Sequence, residues 1–192
     1  MNDGSWAGAS DGDSLQRAID DPVGLVAHDP HWPRVFEAER QRLMRLFPGR
    51  FIEIGHIGST QASLSAKPIV DLLAGVRSMD DAKVLTDALG AHGYAHPLAV
   101  NGSLPDRRFL MRHADGKRTH HLHLVVHGSD AWNDRVAFAR LLRDDADLRD
   151  RYEALKRVLA QRFAHERDAY TEGKSAFIRA ALDDSRDSRS AS

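Results

Sequence analysis

Between Ile69 and Val76 the chain is apolar or small at every position but one, and the exception is Asp71. Such a run, without the alternation of a half-exposed strand, predicts a central strand buried on both faces. A carboxylate inside it is costly unless it is paired, hydrogen-bonded or metal-bound. Whatever the chain folds into must therefore bring partners to Asp71. Just upstream, Ile57-Gly58-Ser59-Thr60 predicts a small-residue turn opening a short helix. Glycine permits close backbone approach, and amides at a helix start, with the Ser59 and Thr60 hydroxyls, supply donors for phosphate. The plainer alternatives are a Ser/Thr-capped turn and a strand-end Asp71 held by backbone or arginine donors.

The surrounding pattern is α+β. Val23–Val26 reads as a short edge strand. Asp29 is then an expected helix cap, with Pro30 in the first turn. Trp32, Phe36, Leu43 and Phe47 recur at helical spacing up to the Pro48-Gly49 stop. Residues 51–56 alternate as a strand with Ile52 and Ile54 on one face, and 80–92 form an amphipathic helix. Strands are expected at 94–100, 107–113 and 119–127, with a loop over 101–106 and a hairpin turn at Asp115-Gly116. Three helices follow, over about 130–142, 148–163 and 174–182. The expected organisation is a disordered tail over 1–20, one domain over 21–183 (sheet part 21–128, helical part 129–183), and a disordered tail over 184–192.

Composition narrows the classes. Across 192 residues, 27 basic and 28 acidic side chains leave a formal charge of −1, which argues against a nucleic-acid partner. No apolar stretch approaches the roughly 18 residues of a membrane span, and the N-terminus lacks a signal-peptide layout, so the expected location is cytoplasmic. With no cysteine, thiolate chemistry is excluded.

Thr119-His120-His121-Leu122-His123-Leu124 places His121 and His123 on one strand face, with Cα atoms about 7 Å apart. Two such imidazoles suit a divalent metal, a proton relay or phosphate oxygens, or are incidental on a polar face. Lys67, Arg107, Arg108, Arg112 and Arg118 flank these strands and are candidates to neutralise phosphate.

Taken in order, His56-Ile-Gly-Ser-Thr60, Ala66-Lys-Pro-Ile-Val-Asp71 and His120-His-Leu-His123 resemble the GrpB family (the UPF0157 type), a branch of the nucleotidyltransferase superfamily. Asp29-Pro-His-Trp-Pro33, Tyr152-Glu-Ala-Leu-Lys156 and Tyr170-Thr-Glu-Gly-Lys174 also match. The resemblance covers about 23–183. It implies a nucleotidyltransferase-like fold: a small mixed sheet flanked by helices, with a C-terminal helical extension. In active superfamily members the Gly-Ser turn holds the triphosphate, and carboxylates on the next and a later strand bind two magnesium ions. Gly58-Ser59 matches the turn and Asp71 the first carboxylate. Leu73 stands where a second would be, and His121 and His123 occupy the later strand. One Asp with two His suits manganese or a transition metal better than magnesium. Two family features differ: a Pro-Gly pair is absent between Thr60 and Lys67, and Phe138-Ala139-Arg140 replaces Phe-Arg-Asp.

The expected function is therefore a protein that binds a nucleotide or phosphorylated small molecule, with nucleotidyl transfer as the implied reaction. Gly58, Ser59, Thr60 and Arg108 would hold phosphate, and Asp71, His121, His123 and Lys67 would form the catalytic set. Asp71, His121 and His123 would be the ligands of a divalent metal, Mg or Mn. The alternatives are a non-catalytic ligand-binding regulatory module and a metal-dependent hydrolase using Asp71 with His121 and His123.

Overall fold

The computed structural model describes residues 6–8 and 12–190. Its elements begin β1 (Trp6–Ala7), α1 (Gly12–Asp20), α2 (Trp32–Leu46), β2 (Glu53–Ile57), a single 3-10 turn at Ser59–Gln61, β3 (Val70–Val76) and α3 (Met79–Gly90). They continue with β4 (Tyr94–Pro97), α4 (Leu98–Ser103), β5 (Arg107–Ala114), β6 (Lys117–Val126), α5 (Asp130–Asp144), α6 (Ala146–Arg162) and α7 (Arg167–Ser190). The result is the expected mixed sheet flanked by helices, with a C-terminal helical extension.

The strands form one six-stranded sheet in the order β1-β4-β5-β6-β3-β2. β3 runs parallel to β6 and antiparallel to β2, and the β5–β6 hairpin is antiparallel. Asp115 and Gly116 both take positive φ, 53° and 77°, as the hairpin turn demands. Alternation of side chains gives the sheet two different faces. Val70, Leu72, Ala74 and Val76 join Leu110, Leu122 and Leu124 in the main core under α2 and α3. Leu73 and Val125 point the other way and pack beneath Trp132 of α5. The α5, α6 and α7 helices share their own core of Phe138, Leu142, Leu148, Tyr152 and Leu182.

Glu39 anchors the main face. Its carboxylate, 4% exposed, accepts from the Tyr94 hydroxyl at 2.8 Å, Arg42 at 2.9 Å and Arg112 at 2.6 Å. Removing the acid would strand two guanidiniums and a buried phenol. Glu39→Ala is expected to cost about 3–5 kcal/mol, as breaking a buried pair does. The urea unfolding midpoint checks this.

Several expectations change. The segment 12–20 is a helix rather than part of a disordered tail. Leu15, Ala18 and Ile19 lie at helical spacing, and they cover Ala95, Met111 and Phe109. Its average polarity hid that narrow stripe. Residues 1–5 and 9–11 lie outside the described residues. At the other end α7 continues through Ser190, where Arg186 ties Asp183 to Asp134 of α5; 191–192 lie outside the described residues. Among the described residues Val23–Val26 forms no named strand: Val26 bridges to Ala66 and the Val23 amide donates to Ala164 O at 2.7 Å. The first helix starts later than expected, at Trp32, with Pro33 in its first turn. Asp29 instead accepts from the His31 amide at 2.8 Å. Ile52 precedes β2 and is half exposed, and residues 98–103 form α4 where strand and loop were expected.

Candidate functional site

β3 and β6 run in register, so Asp71 sits directly across from His121 and Leu73 from His123. The pairing turns the sequence-level coincidence into contact. Asp71 Oδ1 lies 3.0 Å from His121 Nδ1, with side-chain exposures of 27% and 12%. Burial raises the Asp71 pKa, but the hydrogen bond from His121 and the nearby positive charge outweigh it, so the group titrates below its usual range. Burial pushes His121 down to about 4, against the pull of Asp71, and His123 down to about 3. An ionised carboxylate only accepts, so His121 Nδ1 carries the proton and donates it. His121 Nε2 and His123 Nδ1 are buried without partners, and Phe109 packs against both rings at 5.1 and 5.5 Å.

Gly58 forms the lip of the site. Its φ of +76° is available to glycine, and a Cβ there would lie 2.5 Å from Asp71 Oδ2. The backbone thus presses against the carboxylate before turning into Ser59–Gln61, and Gln61 Nε2 ties that turn to Ala139 O of α5 at 2.8 Å. Ser59 remains partly accessible beside the lip. Thr60 is not placed as expected. It is buried, and its hydroxyl lies 2.9 Å from His56 Nε2.

Lys67 enters from the residues preceding β3, and from the helices come Lys156 and Lys174, which the sequence places in family-matching stretches without a role in the site. The Lys67 and Lys174 ammonium groups sit 4.9 and 4.4 Å from the centre of one ring, Tyr170. Lys156 donates to Ser65 O at 2.5 Å and lies 5.3 Å from the Tyr152 ring. Burial, then the like charges of Lys174 and Arg167, bring Lys67 down to about 7. Burial lowers Lys156 to about 8, and Lys174 is lowered by burial as well. Among the described residues none of the three lysines lies within ion-pairing distance of a carboxylate; Asp71 acts on Lys67 and Lys174 through space, and Glu153 acts on Lys156. Both matching stretches carry a Tyr followed four residues later by Lys, in two successive helices (Tyr152/Lys156 and Tyr170/Lys174), and this spacing, which puts ring and amine on one helix face, is the signal of their role.

Arg108 does not belong to the site. It pairs with Leu124, on the opposite face from Asp71, and donates to Leu104 O at 2.7 Å. Arg112 is on that face too, held by Glu39. Arg118 stays close enough to act on His121 but donates to Ala18 O, and Arg167 donates to Asp21 O.

The expected metal set is not assembled either. Among the described residues, no three His, Asp or Glu side chains converge on one point. Leu73, fully buried beneath Trp132, and the histidines of β6 supply none of the hard oxygen ligands that two magnesium ions need. The donor set does not fit a two-metal centre.

Comparison with known proteins places the chain. A family model described as "GrpB protein" matches residues 22–184. The UPF0157 protein YqkA of Bacillus subtilis is 32% identical over 160 residues, which are 83% of this chain; the match covers 46% of the relative. A protein of Mycolicibacterium paratuberculosis named dephospho-CoA kinase is 29% identical over 83% of this chain and 45% of its own. Among solved structures, the conserved protein GrpB from Enterococcus faecalis superposes with a TM-score of 0.73 at 30% identity, covering 84% of this chain and 96% of that one.

Proposed function

The chain belongs to the GrpB family, and from that premise we propose that the cleft over Asp71 binds a nucleotide or another phosphorylated small molecule. The observation that carries this reading is the charge imbalance. Lys67 and Lys174 share the Tyr170 ring and feel Asp71 through space, yet that carboxylate pairs with His121 and with neither of them. Buried ammonium groups without counter-charges are unfavourable on their own and favourable once an anion arrives. Ser59 and the backbone beside Gly58 border the same space.

Nucleotidyl transfer here would rest on positioning and electrostatics. The lysines would neutralise phosphate charge, and Ser59 with Gly58 would fix its approach. Leu73 favours a second reading, in which ligand is bound without turnover, because its buried side chain closes the position of the second carboxylate. Isothermal titration with ATP, CTP and GTP, each with magnesium or manganese, tests the shared part. No binding to any of them, with Asp71→Ala making no difference, overturns it.

Asp71→Asn separates the two readings. It keeps the shape and an acceptor for His121 but removes the negative charge that acts on Lys67 and Lys174. Anion affinity is expected to rise several-fold, by roughly 1 kcal/mol for one charge removed at partial exposure. Release of pyrophosphate by the native chain, abolished in Asp71→Asn, would establish transfer and dismiss the non-catalytic reading.

A further inference from the structure

The face that carries Asp71 bears a second group of cations. Arg107 lies opposite Val125 in the β5–β6 register, two residues before Phe109, and its Nε is buried without a hydrogen-bond partner. Arg135 approaches from α5, where it donates to Ala131 O at 2.5 Å. Burial first, then the adjacent charge of Arg107, lowers the Arg135 pKa; Asp106 and Asp134 oppose this only through space, and Asp134 accepts from Arg186. Among the described residues neither arginine has a carboxylate within ion-pairing distance.

The two basic groups sit at different ends of the histidine pair. His121 is under the positive charge of Lys67 and Arg118, whereas His123 is under that of Arg135 and Arg107. The register agrees. Lys67 precedes β3 at the end where Arg118 begins β6, and Arg107 faces Val125 near the other end. Two neighbouring guanidiniums with a buried, unpaired nitrogen repel each other until an anion is shared between them, and the guanidinium fork matches phosphate oxygens.

We propose that Arg107 and Arg135 form a second phosphate subsite, across the His121–His123 pair from the lysines, so that the cleft accommodates two separated phosphate groups. This rests on the phosphate-binding reading of the cleft given above. The groups belong either to one ligand phosphorylated at both ends or to two ligands bound side by side.

Isothermal titration of the full chain at pH 7 tests it, with inorganic phosphate added before and after saturation with tripolyphosphate. Phosphate is expected to bind the saturated chain. Arg135→Ala or Arg107→Gln should weaken that binding about tenfold, the loss of one charge-assisted contact, and Arg108→Ala on the opposite face should leave it unchanged. Arg135→Lys keeps charge and helix but loses the fork, and its affinity should fall between the two, which guards against a misfolded alanine variant. Absence of phosphate binding to the saturated native chain, or its full retention in both Arg135→Ala and Arg107→Gln, overturns the subsite. If tripolyphosphate fails to bind while phosphate binds in an Arg135-dependent way, the lysine reading falls and the subsite stands. With ribulose bisphosphate as probe, loss of affinity in both Lys174→Met and Arg135→Ala puts the two phosphates on one ligand.

Discussion

Replacing Gly58 with valine is expected to weaken phosphate binding strongly and to lower stability together. The new Cβ would sit 2.5 Å from Asp71 Oδ2 and 3.2 Å from the Asp71 Cβ and Cγ, on a residue held at φ +76°. Positive φ at a branched residue costs about 1–3 kcal/mol. Relief of the clash requires Asp71 to move away from His121, because the backbone on both sides of the lip is fixed by the β2–β3 pairing and by Gln61. Affinity for ATP should fall about a hundredfold, the equivalent of roughly 3 kcal/mol, and the urea midpoint should drop with it. Gly58→Ala should show the same two losses at smaller size. Native affinity in the alanine variant would mean that the lip and the carboxylate move independently, and would remove Gly58 from the site.

The second large effect concerns Lys67. Its amine titrates at about 7 in the folded chain against an ordinary 10.5. The folded state therefore holds fewer protons than the unfolded state between those values, and stability rises with pH across that window. The penalty is fully present below pH 7 and has gone by about pH 10.5. Lys67→Met is expected to make the unliganded chain more stable at pH 6 and to flatten the rise above pH 7, while weakening ATP binding about a hundredfold, of the order of a lost charge-assisted contact in a water-poor site. The same linkage acts on the ligand: phosphate favours the charged amine, so binding at pH 8 should take up a proton and weaken as pH increases. Titration calorimetry in buffers of different ionisation heat reads the proton directly. Affinity independent of pH between 6 and 9 would contradict this role for Lys67.

Much of the site was legible because it depends on a two-residue period. Asp71 within an apolar run announced a partner, and the alternation of His121 and His123 put them on one face. What sequence could not supply was register. Arg107 and Arg108 are adjacent and chemically alike, and only the pairing with Val125 and Leu124 sends the first to the cleft and the second to the opposite face. The role of the lysines of α6 and α7, though their stretches match the family, was hidden for a similar reason. Their helix faces are readable, but what those faces meet is decided by packing of helices far along the chain from β3. The segment 12–20 was misjudged because three apolar residues among polar ones suffice when the sheet beneath is already apolar.

The parallel union of β3 and β6 also has a consequence for the chain as it is made. β2 and β3 emerge as a hairpin-like pair, and β3 then presents an edge whose side chains are nearly all destined for burial. Its other neighbour arrives only after α3, β4, α4 and β5 have been synthesised. At ribosomal rates of about 5–20 residues per second, that edge is open for several seconds. A ribosome stalled in this interval would hold a nascent chain carrying the Gly-Ser lip and Asp71 on a bare, aggregation-prone strand. Chaperone capture should therefore peak on chains that end between β3 and β6.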